Sequence, residues 1–108
     1  MRDTVTIGDR EITMAANAAS PFIFGKIFHE DFENRADSVE AWRKMAFVMV
    51  KQAEIGEQEL LDCKATEKDF VEWLMQFEPL EFADIITAAA ELYSKQEKPK
   101  SRPKNKAV

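Results

Sequence analysis

The sequence has almost none of the residues on which disulfide-stapled and zinc-binding small proteins depend. Its 108 residues include one cysteine, Cys63, and one histidine, His29. A single cysteine cannot form an intramolecular disulfide, which agrees with a reducing compartment. His29 stands in the segment FHEDFE, but adjacent helical residues point in different directions and no second ligand lies at metal-binding spacing. We therefore expect a histidine at the surface or at a helix end, with no metal and no cofactor.

Long apolar runs and large amounts of glycine or proline are also missing. The longest unbroken apolar run, Met45 to Val50, is far below the roughly 18 residues that cross a bilayer. The N-terminal sequence MRDTVTIGD contains no apolar signal segment. Three glycines and four prolines exclude collagen-like and linker-like chains. With 45% hydrophobic residues in a length typical of one domain, we expect a soluble intracellular protein with one core.

Basic and acidic residues are unevenly distributed along the chain. The chain has 15 basic and 20 acidic residues. The segment 95–108 (KQEKPKSRPKNKAV) contains six of the basic residues and one of the acidic residues, which gives it a net charge of +5. Residues 1–94 contain the other nine basic and 19 acidic residues, which gives them a net charge of −10. The segment has no aliphatic residue before Ala107, and Pro99 and Pro103 each lack a backbone donor. We predict a disordered basic tail at 95–108 and a single globular domain at 1–94.

The first predicted element is a β-hairpin at residues 4–14. Apolar and polar residues alternate in TVTIGDREITM on both sides of Gly8-Asp9, which is typical of a tight turn. That turn pairs Ile7 with Arg10, Thr6 with Glu11 and Val5 with Ile12, so that the three aliphatic residues share a face. A lone hairpin is marginal in water, so this face must pack on the helices or in another subunit.

Four helices are predicted after the hairpin, at about 21–32, 38–55, 67–77 and 79–94, because apolar residues recur there at helical spacing. Each has a recognisable start signal: Ser20 as N-cap with Pro21, Asp37 with Glu40, Thr66 with Asp69, and Pro79. Gly56 is predicted to end the second helix, and residues 56–65 are left unassigned. The fold class is therefore mainly α, a small helical bundle of about four helices with an N-terminal β-hairpin and a disordered basic C-terminal tail.

The sequence offers no residues on which a catalytic mechanism can rest. Cys63 has no histidine near it in the chain. Glu57, Glu59 and Asp62 lack the spacing and turn glycine of a calcium-binding loop, so we expect a solvated acidic segment. No glycine-rich phosphate loop or nucleophile elbow is present in the printed sequence. We therefore expect a protein that is not an enzyme.

Aromatic residues and methionine are abundant, at eight Phe, two Trp, one Tyr and five Met. This exceeds what a domain needs if it buries about two-thirds of its surface, and the surplus indicates an interface. Methionines such as Met75 suit adaptable contact. The partner-binding candidates are Phe24, Phe28, Phe32, Met45, Met49, Phe70, Trp73 and Phe77. Aromatic residues along one face of a helix more often pack in the core than line a binding groove. These residues can therefore be core residues or partner-binding residues, and both interpretations stay open.

Four segments, taken in order, carry a family resemblance over about residues 4–94: TVTIGDREITM, AASPFIFGKIFHEDF, WRKMAFVMVKQAE and TEKDFVEWLMQFE. The chain resembles the small tail assembly chaperones of long-tailed (siphovirus-type) phages and prophages of Gram-positive bacteria. The most characteristic parts are Ser20-Pro21-Phe22 leading to Ile27-Phe28, Ala46-Phe47-Val48-Met49 ending in Lys51-Gln52-Ala53, and Phe70-Val71-Glu72-Trp73-Leu74. All three are packing patterns and none is a catalytic signature.

The resemblance implies a non-enzymatic protein of virion assembly that works in the host-cell cytoplasm and is absent from the mature virion. It would bind the tape-measure protein, keep it soluble and promote assembly of the major tail protein around it. Self-association is expected, with the hairpin edge at 4–7 or 10–14 as the pairing site. The family is often made in two forms by frameshifting, and Pro103-Lys104-Asn105 permits a slippery codon sequence.

Two alternatives from other classes stay open. A small helical regulator would contact nucleic acid through the basic tail, but the tail has no aromatic residue for stacking and the acidic domain would repel phosphate. A structural tail or head-completion protein would remain in the particle. Truncation at Ser94 tests the first alternative, and mass spectrometry of purified virions tests the second.

Overall fold

A computed structural model describes residues 2–7, 9–62 and 67–101 of the chain. The elements, in order, are β1 (Arg2–Ile7), β2 (Arg10–Ala15), α1 (Ala19–Phe28), a 3₁₀ turn (Phe32–Asn34), α2 (Val39–Ile55), α3 (Glu57–Asp62), α4 (Glu67–Leu74) and α5 (Pro79–Ser101). The mainly helical fold with an N-terminal hairpin is confirmed, with five helices in the described residues rather than about four. Within the described ranges, no helix combines the length and hydrophobicity needed to cross a membrane.

The hairpin has the predicted register. β1 and β2 pair antiparallel from Arg2↔Ala15 to Ile7↔Arg10, which includes the three predicted pairs. Ile7 and Met14 are buried in the core, with Val5 and Ile12 packed against it. β2 lies on α2, and β1 lies next to α5. The hairpin therefore packs on helices of its own chain; Gly8 of the predicted turn lies outside the described residues.

The start of α1 differs from the prediction. α1 begins at Ala19, and Ser20 lies inside the helix rather than at its N-cap. The Asn17 side-chain oxygen accepts the N–H of Ala19 at 2.8 Å, which satisfies a helix-start donor in place of Ser20. The Ser20 hydroxyl instead accepts the Asn17 N–H at 3.1 Å and donates to Gln52 Oε1 at 2.5 Å. Ser20 therefore ties α1 to α2.

The end of α1 comes four residues earlier than predicted. His29 adopts a left-handed conformation with φ of 59°, and its N–H donates to the Gly25 carbonyl at 2.9 Å. This geometry stops the helix at Phe28. His29 is exposed at the helix end, as expected. The chain then returns Phe32 to the core through the 3₁₀ turn.

The central element of the fold is α2. Its N-cap is Ser38, whose hydroxyl accepts the Ala41 N–H at 3.3 Å, so the predicted cap at Asp37 was one residue early. Gly56 ends the helix, as predicted, with φ of 82° and its N–H bonded to the Gln52 carbonyl. Residues 45–50 are all buried, which requires that neighbouring elements cover α2 on every side. The hairpin, α1, α3, α4 and α5 provide that cover.

The last three helices correct the predicted boundaries. α3 occupies much of the unassigned region and buries Leu60. α4 ends at Leu74, because the N–H groups of Gln76 and Phe77 bond to the carbonyls of Trp73 and Leu74 and tighten the chain into a turn. Pro79 then begins α5, as predicted.

The last helix also ends later than predicted. α5 continues to Ser101, seven residues past the predicted end at Ser94. Its backbone therefore includes the start of the predicted disordered tail, because the sequence KQEK at 95–98 consists of good helix formers. Residues 102–108 lie outside the described residues, as do Cys63 and the predicted cap Thr66.

Candidate partner-binding surface

Most of the aromatic residues predicted to bind a partner form one buried cluster. The Phe24 ring centroid lies 5.3 Å from that of Phe28 and 5.2 Å from that of Phe32, and Phe28 lies 5.2 Å from Phe70. Phe47 continues the cluster to Trp73 at 5.6 Å. Edge-to-face and tilted contacts of this kind are typical of well-packed cores.

The burial of these residues decides between the two interpretations that the sequence left open. Seven of the eight candidates are buried in the core: Phe24, Phe28, Phe32, Met45, Met49, Phe70 and Trp73. A buried side chain presents no surface to a partner in this conformation, so we assign these seven to the core. Phe77 differs, because it is only partly buried.

A different set of apolar side chains is exposed, and most of it lies in one part of the chain. Among the described residues, the exposed large hydrophobics are Phe22 (59%), Val39 (59%), Val71 (50%), Met75 (78%) and Leu80 (87%). Three of the five fall within residues 71–80, around the connection from α4 to α5. Sequence reasoning named only Met75 for contact. Val71 and Leu80 are apolar helix residues like their buried neighbours, so residue type alone did not mark them as exposed.

A groove runs along this connection, and we call it the α4–α5 groove. It has a volume of about 390 Å³ and lies between the start of α2, the end of α4 and the start of α5. Its lining is mostly apolar and consists of Val39, Arg43, Leu74, Phe77, Glu78, Pro79, Phe82, Ala83 and Ile86. Apolar grooves that contain a few polar groups are typical of binding sites.

Phe77 is held in this groove from three sides. Its ring centroid lies 5.2 Å from Trp73 and 5.7 Å from Phe82. The Arg10 guanidinium, from β2, lies over the ring with its carbon 4.5 Å from the centroid. Arg10 also donates to the Gln76 carbonyl at 3.0 Å. The hairpin therefore fixes the α4–α5 connection and orients Phe77.

The surface around the groove is acidic. Residues 69–94 contain six acidic residues and no basic one. Glu72, Glu78, Asp84 and Glu91 are exposed, and none of them pairs with a cation within the described part of the chain. Glu81 is the partial exception, because its carboxylate accepts the Glu78 N–H at 3.0 Å at the start of α5. Acidic residues therefore outnumber basic ones on this part of the surface, while Arg43 lines the groove and Arg10 lies over Phe77.

A second groove, of about 400 Å³, follows the edge of β2. Its strand side is lined by four consecutive residues, Arg10 to Thr13, and its far side by residues of α2, by Trp73 of α4 and by Phe77 of the turn that follows α4. Consecutive strand residues point to opposite faces, so a groove that touches all four follows the edge of the strand. In the described part of the chain, β2 pairs only with β1. This edge is one of the two predicted for self-association.

Charged residues near His29 form a structural cluster. Lys44 is buried and donates to Glu30 at 2.8 Å, with Glu40 at 3.7 Å; Arg35 lies 3.4 Å from Glu30 and 3.8 Å from Glu40. The hydrogen bond from Lys44 holds the pKa of Glu30 below its ordinary value. In the described ranges, no group of three histidine, cysteine or carboxylate side chains is placed to bind a metal.

A polar network joins α1, α2 and α3. Glu57 Oε2 accepts from Asn17 at 2.7 Å and from Gln52 at 3.0 Å. The pKa of Glu57 is lowered, first by its own backbone N–H and then by these two amides. Ser20 and Gln52 are buried, so the serine hydroxyl does not reach solvent. The expected solvated acidic segment is therefore wrong for Glu57, although Glu59 is exposed.

The arrangement as a whole provides contact surfaces: an apolar groove with an acidic border, and an open strand edge. The buried polar side chains of Ser20, Lys44 and Gln52 are hydrogen-bonded within the fold and serve the packing of the helices, whereas Glu30 Oε1 is buried without a hydrogen-bond partner. Comparison of the chain with protein families, with curated proteins and with solved structures found no match.

Proposed function

We propose that this protein is a tail assembly chaperone of a long-tailed phage or prophage. In this role it binds the tape-measure protein, keeps it soluble, and promotes assembly of the major tail protein around it. The observation that supports the proposal is the α4–α5 groove, an exposed apolar site on a small domain whose segment order resembles that family. A groove of this kind suits an amphipathic helix, which buries its apolar side against the lining.

The rest of the surface fits a protein that coats a long partner. A tape-measure protein is a long helical chain with apolar seams, so many copies of a small groove can act together along it. Self-association through the open edge of β2 would place neighbouring copies side by side. The net charge of −10 on residues 1–94 limits non-specific clumping between copies. We also propose that the protein works in the host-cell cytoplasm and is absent from the mature virion.

The experiment is co-expression with the candidate tape-measure protein, followed by fractionation and co-purification. We expect the tape-measure protein to move from the pellet to the soluble fraction. The variant Val39→Ser should weaken this effect, because Val39 lines the groove. Phe22→Ser is the matched control, since Phe22 is exposed to the same extent on α1 and does not line the groove.

Two results would contradict the proposal. One is a tape-measure protein that stays in the pellet with the wild-type protein. The other is an equal loss of solubilisation in Val39→Ser and Phe22→Ser, which would remove the groove from the explanation. Circular dichroism of both variants confirms that each retains its helices, so that a folding defect is separated from a binding defect.

A further inference from the structure

We propose that the α4–α5 groove takes a basic amphipathic helix, whose Lys and Arg residues lie beside the apolar residues that enter the groove. The groove is the same site as in the proposed function, so the inference rests on that proposal for the location of binding. It adds that the bound segment is helical rather than extended, and cationic rather than neutral or acidic. Three observations support it, namely the backbone of the lining, the acidic residues of 69–94, and the position of Arg43.

The lining of the groove favours a helix over an extended segment. The groove is built from side chains of α2, α4 and α5 and of the turn between the last two. Backbone groups inside helices are already bonded within them, so an extended peptide would find few main-chain partners there. A helix satisfies its own backbone and offers apolar residues at i, i+3, i+4 and i+7. The open edge of β2 has the opposite chemistry, because it offers main-chain groups.

The acidic residues at the start of α5 favour a cationic partner. Glu78, directly before α5, lines the groove, and Asp84 and Glu91 are exposed on α5 without an ion-pair partner among the described residues. Residues 69–94 include no lysine or arginine that would neutralise them. A helix with basic flanks gains attraction from these carboxylates, whereas an acidic helix is repelled. The effect is strongest at low ionic strength, because salt screens exposed charges.

Arg43 determines how the charges of the partner must be distributed. It is the basic residue of the lining and belongs to α2, whereas the acidic Glu78 of the lining lies directly before α5. A bound helix should therefore turn its cations toward α5 and present an uncharged or acidic residue to Arg43. This asymmetry predicts that removing the positive charge of Arg43 improves binding of a uniformly basic helix. It also gives the test two variants with effects of opposite sign.

The test uses two labelled amphipathic peptides with identical leucine positions and either lysine or glutamate at every flanking position. Fluorescence anisotropy with the full-length protein measures their dissociation constants at low and high salt. We expect the lysine peptide to bind at least about tenfold more tightly at low salt, and this advantage to shrink at high salt. Equal binding of the two peptides, or tighter binding of the glutamate peptide, would overturn the inference.

Charge variants locate the effect on the protein. The double variant Glu78→Lys, Asp84→Lys should weaken lysine-peptide binding by about tenfold, and Arg43→Glu should strengthen it several-fold. Glu33→Lys is the control, because Glu33 is an exposed acid in the 3₁₀ turn and lies outside the groove lining. If Glu33→Lys weakens binding as much as the double variant, the attraction comes from net charge alone and the inference fails.

The outcomes separate this inference from the proposed function. Charge-dependent binding of the lysine peptide, with no solubilisation of the tape-measure protein, would support the basic helix and contradict the chaperone. Solubilisation that needs Val39 but is unchanged by the charge variants would support the chaperone and contradict the basic helix.

Discussion

The two aromatic regions of this protein are both rich in phenylalanine but differ in what covers them. The inner region consists of Phe24, Phe28 and Phe32, and the corner region consists of Trp73, Phe77 and Phe82. The Phe32 ring is closed off by Trp42 at 4.9 Å and by Tyr93 of α5 at 5.4 Å. Phe77 is covered by Arg10 on one side and faces the α4–α5 groove on another. The difference shows that aromatic spacing alone does not separate core from contact surface.

The charged residues near the two regions differ in the same way. Glu30 pairs with the buried Lys44 beside the inner region, and Lys44 also lies 5.2 Å from the Phe28 ring centroid. In the corner region, Glu78 and Asp84 are exposed and have no cation partner among the described residues. Paired charges near the inner region serve stability, whereas unpaired carboxylates at the corner are available to a partner. Four sets of measurements on variants test this contrast between covered and exposed groups.

The largest effect is expected for Phe24→Ala in the inner region. Phe24 is fully buried, so its loss leaves a cavity and should lower the free energy of unfolding by about 3–5 kcal/mol. Phe77→Ala should cost about 1–2 kcal/mol, because part of that ring already faces solvent. Urea denaturation measures both. An equal cost for the two variants would show that the corner region is as much core as the inner one.

A smaller loss is expected for Lys44→Ala. The substitution leaves the Glu30 carboxylate partly buried without its 2.8 Å partner, which should lower the free energy of unfolding by about 2 kcal/mol. Lys68→Ala is the control, because Lys68 is exposed on α4 and its loss should change stability by less than about 0.5 kcal/mol. Similar denaturation midpoints for the two variants would contradict a structural role for the pair.

The third effect depends on pH and concerns Glu57. Its pKa in the folded protein is below the ordinary value of 4.5 because its own N–H, Asn17 and Gln52 donate to the carboxylate. The unfolded chain therefore binds the proton more tightly, and the stabilisation is present above about pH 4.5 and is lost as the pH falls through the folded pKa. Glu57→Gln should flatten this acid-side decline in melting temperature.

The comparison for this pH dependence is Glu59→Gln. Glu59 is exposed two residues further along α3, so its variant should melt with the same acid-side decline as the wild-type protein. Thermal melting between about pH 3 and pH 7 measures all three proteins. If Glu57→Gln and Glu59→Gln decline alike, the hydrogen bonds to Glu57 do not contribute to the pH dependence.

The smallest effect on stability is expected for Leu80→Ser at the corner. Leu80 is 87% exposed, so the free energy of unfolding should change by less than about 0.5 kcal/mol. Because Leu80 adjoins the groove residue Pro79, the variant should nevertheless weaken binding of the lysine peptide. Urea denaturation and anisotropy measure the two effects. A large loss of stability would mean that Leu80 packs in the core.

Much of the fold was predictable because its signals are local. The alternation around Gly8-Asp9 predicted the register of the hairpin, and Gly56 correctly marked the end of α2. Positions that depend on distant partners were predicted less well. Ser20 was assigned to a cap because its bond to Gln52, 32 residues away, leaves no local pattern. The left-handed His29 that ends α1 was missed for a similar reason, since glycine is the usual residue there.

The sequence led us to expect a contact surface, but it did not indicate which residues form the candidate groove. The surplus of aromatic residues and methionine indicated an interface, yet seven of the eight named residues are core. The groove instead uses Val39, Pro79 and Ala83 together with Phe77. The residue type at one position does not indicate which helix packs against that position in the folded protein. Val39 and Ile86 are 47 residues apart and meet in the groove only because α5 packs on α2.

The sequence by itself determined the hairpin, the main helices, the acidic character of residues 1–94 and the basic character of the final segment. These properties follow from periodicity, capping signals and composition, which act over a few residues or over the whole chain. The tertiary structure alone decided which aromatics are covered, which charges are paired and where a groove opens. Burial depends on the element that lies across a side chain, and that element comes from a distant part of the chain.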